Sequence, residues 1–263
     1  MQLQVQGEPV YAYTGGKPLD ANLPAVVFLH GAQLDHSVWA LQSRYFAHHG
    51  HGVLAVDLPG HGRSGGAPLA SIAAIADWIA ALLDAAGLAR AALVGHSMGS
   101  LAALVAASRH PERVARIALL GTAVPMPVSR ALLDAARLDE PRAISMINAW
   151  SHSPRAHVGG NTAPGMWLYG TAQRLMERSP PGVLHNDLSA CNAFSFGAGD
   201  AARVRCPLLI LCGARDQMTA PRAARALAAL LPRASLATIE GAGHDMMAEQ
   251  PDRVLDALRG FLS

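Results

Sequence analysis

Apolar residues in this chain gather into short, nearly unbroken blocks at positions 25–29, 53–56, 91–94, 114–120, 208–211 and 236–239. Such runs, bounded by Gly, Pro or Asp, predict strands covered on both faces. Residues 2–6 alternate polar and apolar instead, and residues 11–13 are expected to pair with them as an opening hairpin. Helical spacing fills the intervals. Ile72, Ile75, Ile79, Leu82 and Leu83 mark a helix over 71–86 that stops at Gly87. Further helices are predicted at 37–48, at 98–109 before Pro111, at 221–231 and at 249–262. The alternation implies an α/β fold, with a mostly parallel β-sheet flanked by helices.

One segment breaks this rhythm. Residues 124–200 contain no clear strand, several prolines and two of the four tryptophans. That is too long for a connecting loop, and it reads as a helical cap or lid insertion. The expected organisation is a core domain of residues 1–123 and 201–263, with the cap at 124–200.

Composition narrows the class. Hydrophobic residues make up 51% and charged residues 15%, as in a well-buried globular enzyme. A net charge of +2 without a basic cluster argues against nucleic acid as partner. Cys191, Cys206 and Cys212 are odd in number and lack C-x-x-C spacing, so buried thiols in a reducing compartment are expected rather than disulfides. The first residues have neither a basic start nor an apolar core, and the most apolar stretch, 101–107, is too short to span a bilayer. The expectation is a cytoplasmic protein without a membrane span; a homodimer is left open.

The chemistry concentrates at Gly95-His96-Ser97-Met98-Gly99, placed between an apolar block and an Ala-rich helix. A serine on such a strand-to-helix turn is held strained and exposed, and the glycines make room for the neighbouring strand and helix. The N–H of Met98 opens a helix, so it is an unpaired donor suited to a developing oxyanion. The motif alone is weak in a chain with 25 glycines. Its partners lie further on. Asp216 follows the block at 208–211, and His244 sits on the Gly-rich turn after 236–239. All three residues would converge outside the carboxyl ends of the strands. No aspartate follows the block at 114–120, so Asp216 has no rival for the acid.

Two other patterns carry no such chemistry. Gly60-His61-Gly62-Arg63-Ser64-Gly65 matches G-x-G-x-x-G, but only helical residues lie where a dinucleotide site needs an acid. His48, His49 and His51 lack a carboxylate or Cys at ligand spacing and read as a solvated helix end.

The order Ser97, Asp216, His244 resembles the α/β-hydrolase superfamily. So do Phe28-Leu29-His30-Gly31, Asp57-Leu58-Pro59-Gly60-His61-Gly62-Arg63-Ser64 and His244 with Glu249-Gln250-Pro251. The resemblance implies a Ser97–His244–Asp216 triad, a second oxyanion donor at the Ala32 N–H, and support for that loop from His30 and Gly31. It calls for no cofactor and no metal. Trp150, His152, Met166, Trp167, Met176 and Phe194 are candidates, by residue type, for a substrate pocket beneath the cap.

Hydrolysis of a carboxylic ester of a small, fairly apolar molecule is the leading expectation. A C–C bond hydrolase, lactonase, thioesterase or perhydrolase of the same fold stays open. So does a receptor-like binder with slow turnover. One fold hosts many chemistries.

Overall fold

The computed structural model describes residues 1–160, 162 and 165–263. In chain order its strands are β1 (Gln2–Val5), β2 (Glu8–Tyr13), β3 (Ala25–Leu29), β4 (Gly52–Val56), β5 (Ala91–His96), β6 (Val114–Leu120), β7 (Leu208–Gly213) and β8 (Ala234–Ile239). They form a single sheet in the order β1-β2-β4-β3-β5-β6-β7-β8. β1, β2 and β4 pair antiparallel. Every later pairing is parallel.

The unbroken apolar blocks have a simple cause. Side chains alternate across a strand, and both faces of this sheet are covered. In β3, Val27 and Leu29 join one core while Val26 and Phe28 join the other. The first core is completed by α2 (Ile72–Ala85), α3 (Met98–Arg109) and α10 (Pro221–Leu230), through residues such as Ile79, Leu104 and Leu227. α1 (Ala40–His48) and α12 (Pro251–Leu262) close the second, through Phe46, Val254 and Leu258. Each of α2's ends follows from its sequence: Ser71 caps the first turn by accepting from the Ala74 N–H, and Gly87 takes a φ of +68° just past the end.

Between β6 and β7 lie α4 (Arg130–Leu138), α5 (Glu140–Ser151), α6 (Pro154–His157), α7 (Leu168–Met176), α8 (Val183–Asn192) and α9 (Ala198–Ala201). These helices carry an apolar cluster of their own. Leu132, Ala135, Ile144, Met176, Leu184 and Leu188 are buried together, with Ala32 and Leu34 of the core packed against them. α8 is also sewn into the main core through Ala190 and Cys191.

Where boundaries differ from expectation, turns explain it. β5 runs on to His96 and β7 to Gly213, because parallel pairing continues to the strand ends. The helix expected at 37–48 begins as a 3-10 turn, His36–Trp39, capped by Asp35. The last helix is interrupted at Gln250, since Pro251 starts a new one; α11 (Met246–Glu249) precedes it. All three cysteines are buried and free. No helix among the described residues is long and apolar enough to cross a membrane.

Candidate active site

Ser97 stands between β5 and α3 with φ 51° and ψ −118°, a conformation that L-residues avoid. The turn is tight because the glycines leave it no side chains to accommodate. A Cβ on Gly95 would lie 2.2 Å from the Gly99 carbonyl oxygen, and one on Gly99 would lie 2.5 Å from those of Leu29 and His30. The Ser97 N–H donates to the Leu120 carbonyl at 2.9 Å, tying the turn to β6.

His244 and Asp216 arrive from the loops after β8 and β7. His244 Nδ1 lies 2.8 Å from Asp216 Oδ2. The carboxylate also accepts from the N–H groups of Met218 and Thr219 and from the Thr219 hydroxyl. Burial pushes the Asp216 carboxyl up, but the His244 charge and these hydrogen bonds outweigh it and hold the group below its ordinary range. The histidine's own backbone is anchored at both peptide groups. Its N–H donates to the Ser151 carbonyl at 2.7 Å, and its carbonyl accepts from His96 Nε2 at 3.0 Å. That bond fixes the tautomer of His96, whose ring is buried beside His244 and held neutral, with its pKa pushed down to about 4. Glu249, also buried, accepts from the N–H groups of Gly243 and Ser153 and so braces the same turn.

Gly121 gives this arrangement its space. A Cβ there would fall 2.8 Å from His244 Cε1. The sequence pattern pointed to position 121 only as a place without an acid; its actual demand is for no side chain at all.

The loop after β3 forms the opposite wall. His30 Nε2 accepts from the Leu58 N–H at 3.1 Å, so the proton sits on Nδ1, which donates to the Gly31 carbonyl at 2.8 Å. Burial, then the neighbouring His61, push the His30 pKa down to about 4. Gly31 is pressed against the serine: a Cβ on it would stand 3.2 Å from Ser97 Cβ. The N–H groups of Ala32 and Met98 have no acceptor among the described residues.

These walls enclose a cavity of about 290 Å³ that Ser97, His244, Ala32 and His96 all line. The family model for the alpha/beta hydrolase fold matches residues 24–251. The chain belongs to the α/β hydrolase fold family. It is 32% identical over 257 residues to the pimeloyl-[acyl-carrier protein] methyl ester esterase of Aromatoleum aromaticum, covering 91% of this chain and all of that one. It is 30% identical to the non-heme chloroperoxidase of Streptomyces lividans, covering 90% of this chain and 91% of the relative. The fold matches that of the enol-lactonase from Burkholderia xenovorans with a TM-score of 0.87 at 22% identity, over 100% and 99% of the two chains.

The rest of the cavity wall is mostly apolar. Leu34, Val38, Ile147, Leu175, Met218 and Met247 contribute, and no lysine or arginine among the described residues does. Of the pocket residues expected from sequence, His152, Met166 and Met176 line it. Three others lie elsewhere. Trp150 packs, half-buried, on the cluster within the inserted helices. Trp167 is 59% exposed on an outer groove, stacked on Tyr169. Phe194 pairs with Phe196 and packs on the main core below α8. Residue type marks an apolar side chain as needing cover but does not say which surface provides it.

Asp245 also lines the cavity, 3.5 Å from buried His152. The cluster Asp35, His36 and Asp57 brings potential metal-ligating atoms within 4.8 Å of one another. Its carboxylates are already taken, by the N–H groups of His36, Ser37 and Arg63 and by Arg178, and so they serve as loop caps.

Proposed function

We propose that this protein is a serine hydrolase that cleaves a carboxylic ester through an acyl-enzyme, with Ser97 as nucleophile, His244 as base and Asp216 as its orienting acid. The observation that carries the reading is one cavity lined by three features: a serine forced to positive φ, an imidazole bonded to a buried carboxylate at 2.8 Å, and two free backbone donors.

The steps follow from those positions. His244 takes the Ser97 proton as the hydroxyl attacks the ester carbonyl, and Asp216 stabilises the imidazolium. The Ala32 and Met98 N–H groups receive the developing oxyanion, each worth on the order of 3 kcal/mol at the transition state. The imidazolium protonates the departing alkoxide. Water, activated by the same histidine, then releases the acid and restores the serine. The helices at 124–200 act as the cap that covers this chemistry. Its mostly apolar lining, without a lysine or arginine among the described residues, favours an uncharged acyl group, which agrees with ester-cleaving relatives more than with a charged substrate.

The test is hydrolysis of p-nitrophenyl esters by the wild-type protein and Ser97→Ala. Turnover should fall by on the order of 10⁴-fold or more in the variant. Survival of more than about a tenth of the activity in Ser97→Ala would remove the nucleophile from the account.

A further inference from the structure

We propose that the inserted helices set the shape of the oxyanion loop, with Asp187 of α8 as a positioning residue that acts on the Ala32 N–H through the backbone of Gln33. The inference rests on the serine-hydrolase reading of the site.

Gln33 follows Ala32 directly and is fully buried with a φ of +55°. A glutamine does not choose the left-handed region unaided, so its surroundings must hold it there. They do so from three separate points of the insertion. Its N–H donates to Asp187 Oδ2 at 2.9 Å, and its side-chain Nε2 donates to Glu140 Oε1 of α5 at 2.7 Å. Its carbonyl accepts from the Ser179 hydroxyl at 3.3 Å. The three bonds bridge 107 to 154 residues of sequence, and none of them comes from the sheet.

Asp187 reaches the loop by a second route. Its Oδ2 also lies 2.8 Å from His61 Nε2, and the His61 ring packs on that of His30 with centroids 4.9 Å apart. His30 in turn donates to the Gly31 carbonyl. The two peptide groups flanking Ala32 are therefore both held: Gly31–Ala32 by His30, and Ala32–Gln33 by Asp187. An amide N–H points opposite its carbonyl, so fixing these planes aims the Ala32 N–H at the space beside Ser97. A donor prepared before substrate arrives stabilises an oxyanion without reorganising, and a displacement of about 1 Å costs on the order of 10²-fold in rate.

The experiment compares wild type with Asp187→Ala in two readouts on folded protein. These are kcat and KM for p-nitrophenyl butyrate, and the inhibition constant of an alkyl boronic acid, whose serine adduct presents an oxyanion. The expected result is a kcat lower by about 10- to 100-fold with KM within about threefold, and boronate affinity reduced by a similar factor. Melting temperature, measured separately, reports the packing role of α8. Unchanged kcat and boronate affinity in folded Asp187→Ala would overturn the proposal, and so would a rise in KM alone. If that variant does not fold, Glu140→Ala decides by the same readouts: a loss of about three- to tenfold in both supports the clamp, and no change in either refutes it. Ser97→Ala assayed alongside separates the two ideas. Activity that survives in Ser97→Ala removes the underlying serine reading, whereas a dead Ser97→Ala with an unaffected Asp187→Ala removes only the clamp.

Discussion

Besides His244, four buried histidines lie at or behind the walls of the site, and their surroundings divide them into two kinds. His30 and His96 are enclosed, each beside another imidazole, with pKa values near 4. Burial also opposes the charge on His61 and His152, but Asp187 and Asp245 outweigh it and raise both groups above the ordinary value. Ring NMR should therefore find His30 and His96 neutral down to about pH 5, while His61 and His152 titrate above the ordinary histidine value. A midpoint above pH 6 for His96 would contradict this placement. Stability follows the same division. Between pH 6.5 and 4 the unfolded chain protonates at positions 30 and 96 and the folded one does not, so stability is lost as pH falls through that window. From the drop of the pKa from 6.5 to about 4, the loss is about 3 kcal/mol for each residue. His61 and His152 act oppositely, contributing stability that is lost as pH rises through their folded values. Urea unfolding at pH 7 and pH 5 should therefore show a shallower acid loss in His96→Gln than in wild type. The sequence motif placed His96 next to the nucleophile but said nothing of its task, because the His244 carbonyl it holds is 148 residues away.

At the scale of elements, the strand-to-helix turn and the loops at the sheet's carboxyl edge were largely readable in advance. Gly95, Gly99, Asp216 and His244 announce themselves by spacing, since a Cβ on either glycine would fall 2.2 or 2.5 Å from a backbone oxygen and the strand order brings the loops together. Gly121 was not readable: its constraint comes from a ring delivered by a loop more than a hundred residues later. Gly121→Ala carries the prediction for this scale. Its Cβ would meet His244 Cε1 at 2.8 Å in a φ of +58°, and so the ring must move. We expect a folded enzyme with kcat reduced by about 10²-fold or more and KM little changed. Near-wild-type kcat in folded Gly121→Ala would mean that His244 does not need its observed position. Gly99→Ala should instead strike the fold, lowering the urea midpoint by an equivalent of about 1–3 kcal/mol.

For the whole molecule, the sheet and its flanking helices could be read from the periodicity of the chain, because both sheet faces impose unbroken apolar runs, and the lack of a strand pattern pointed to the helices α4–α9 between β6 and β7. The wall of the cavity could not. Trp150 and Phe194 are apolar because they cover the inserted helices' own cluster and the main core, and those demands look the same in sequence as a demand for substrate, while Trp167 stacks on Tyr169 at the exposed surface. The observed lining predicts a chain-length profile. Each methylene that enters an apolar pocket is worth up to about 0.8 kcal/mol, about fourfold in kcat/KM. Activity should therefore rise from p-nitrophenyl acetate toward butyrate and hexanoate, and fall for chains too long for a cavity of about 290 Å³. A flat profile would argue that the acyl group does not occupy this cavity.

The most direct test of the central claim is covalent. The folded protein would be treated with a fluorophosphonate probe and the modified peptide located by mass spectrometry, in wild type, His244→Ala and Asp216→Asn. The account predicts one adduct, on Ser97, formed on the order of 10³-fold more slowly without His244 and slowed also in Asp216→Asn. An adduct on another residue, or labelling of Ser97 at full rate without His244, would contradict the assignment of nucleophile and base.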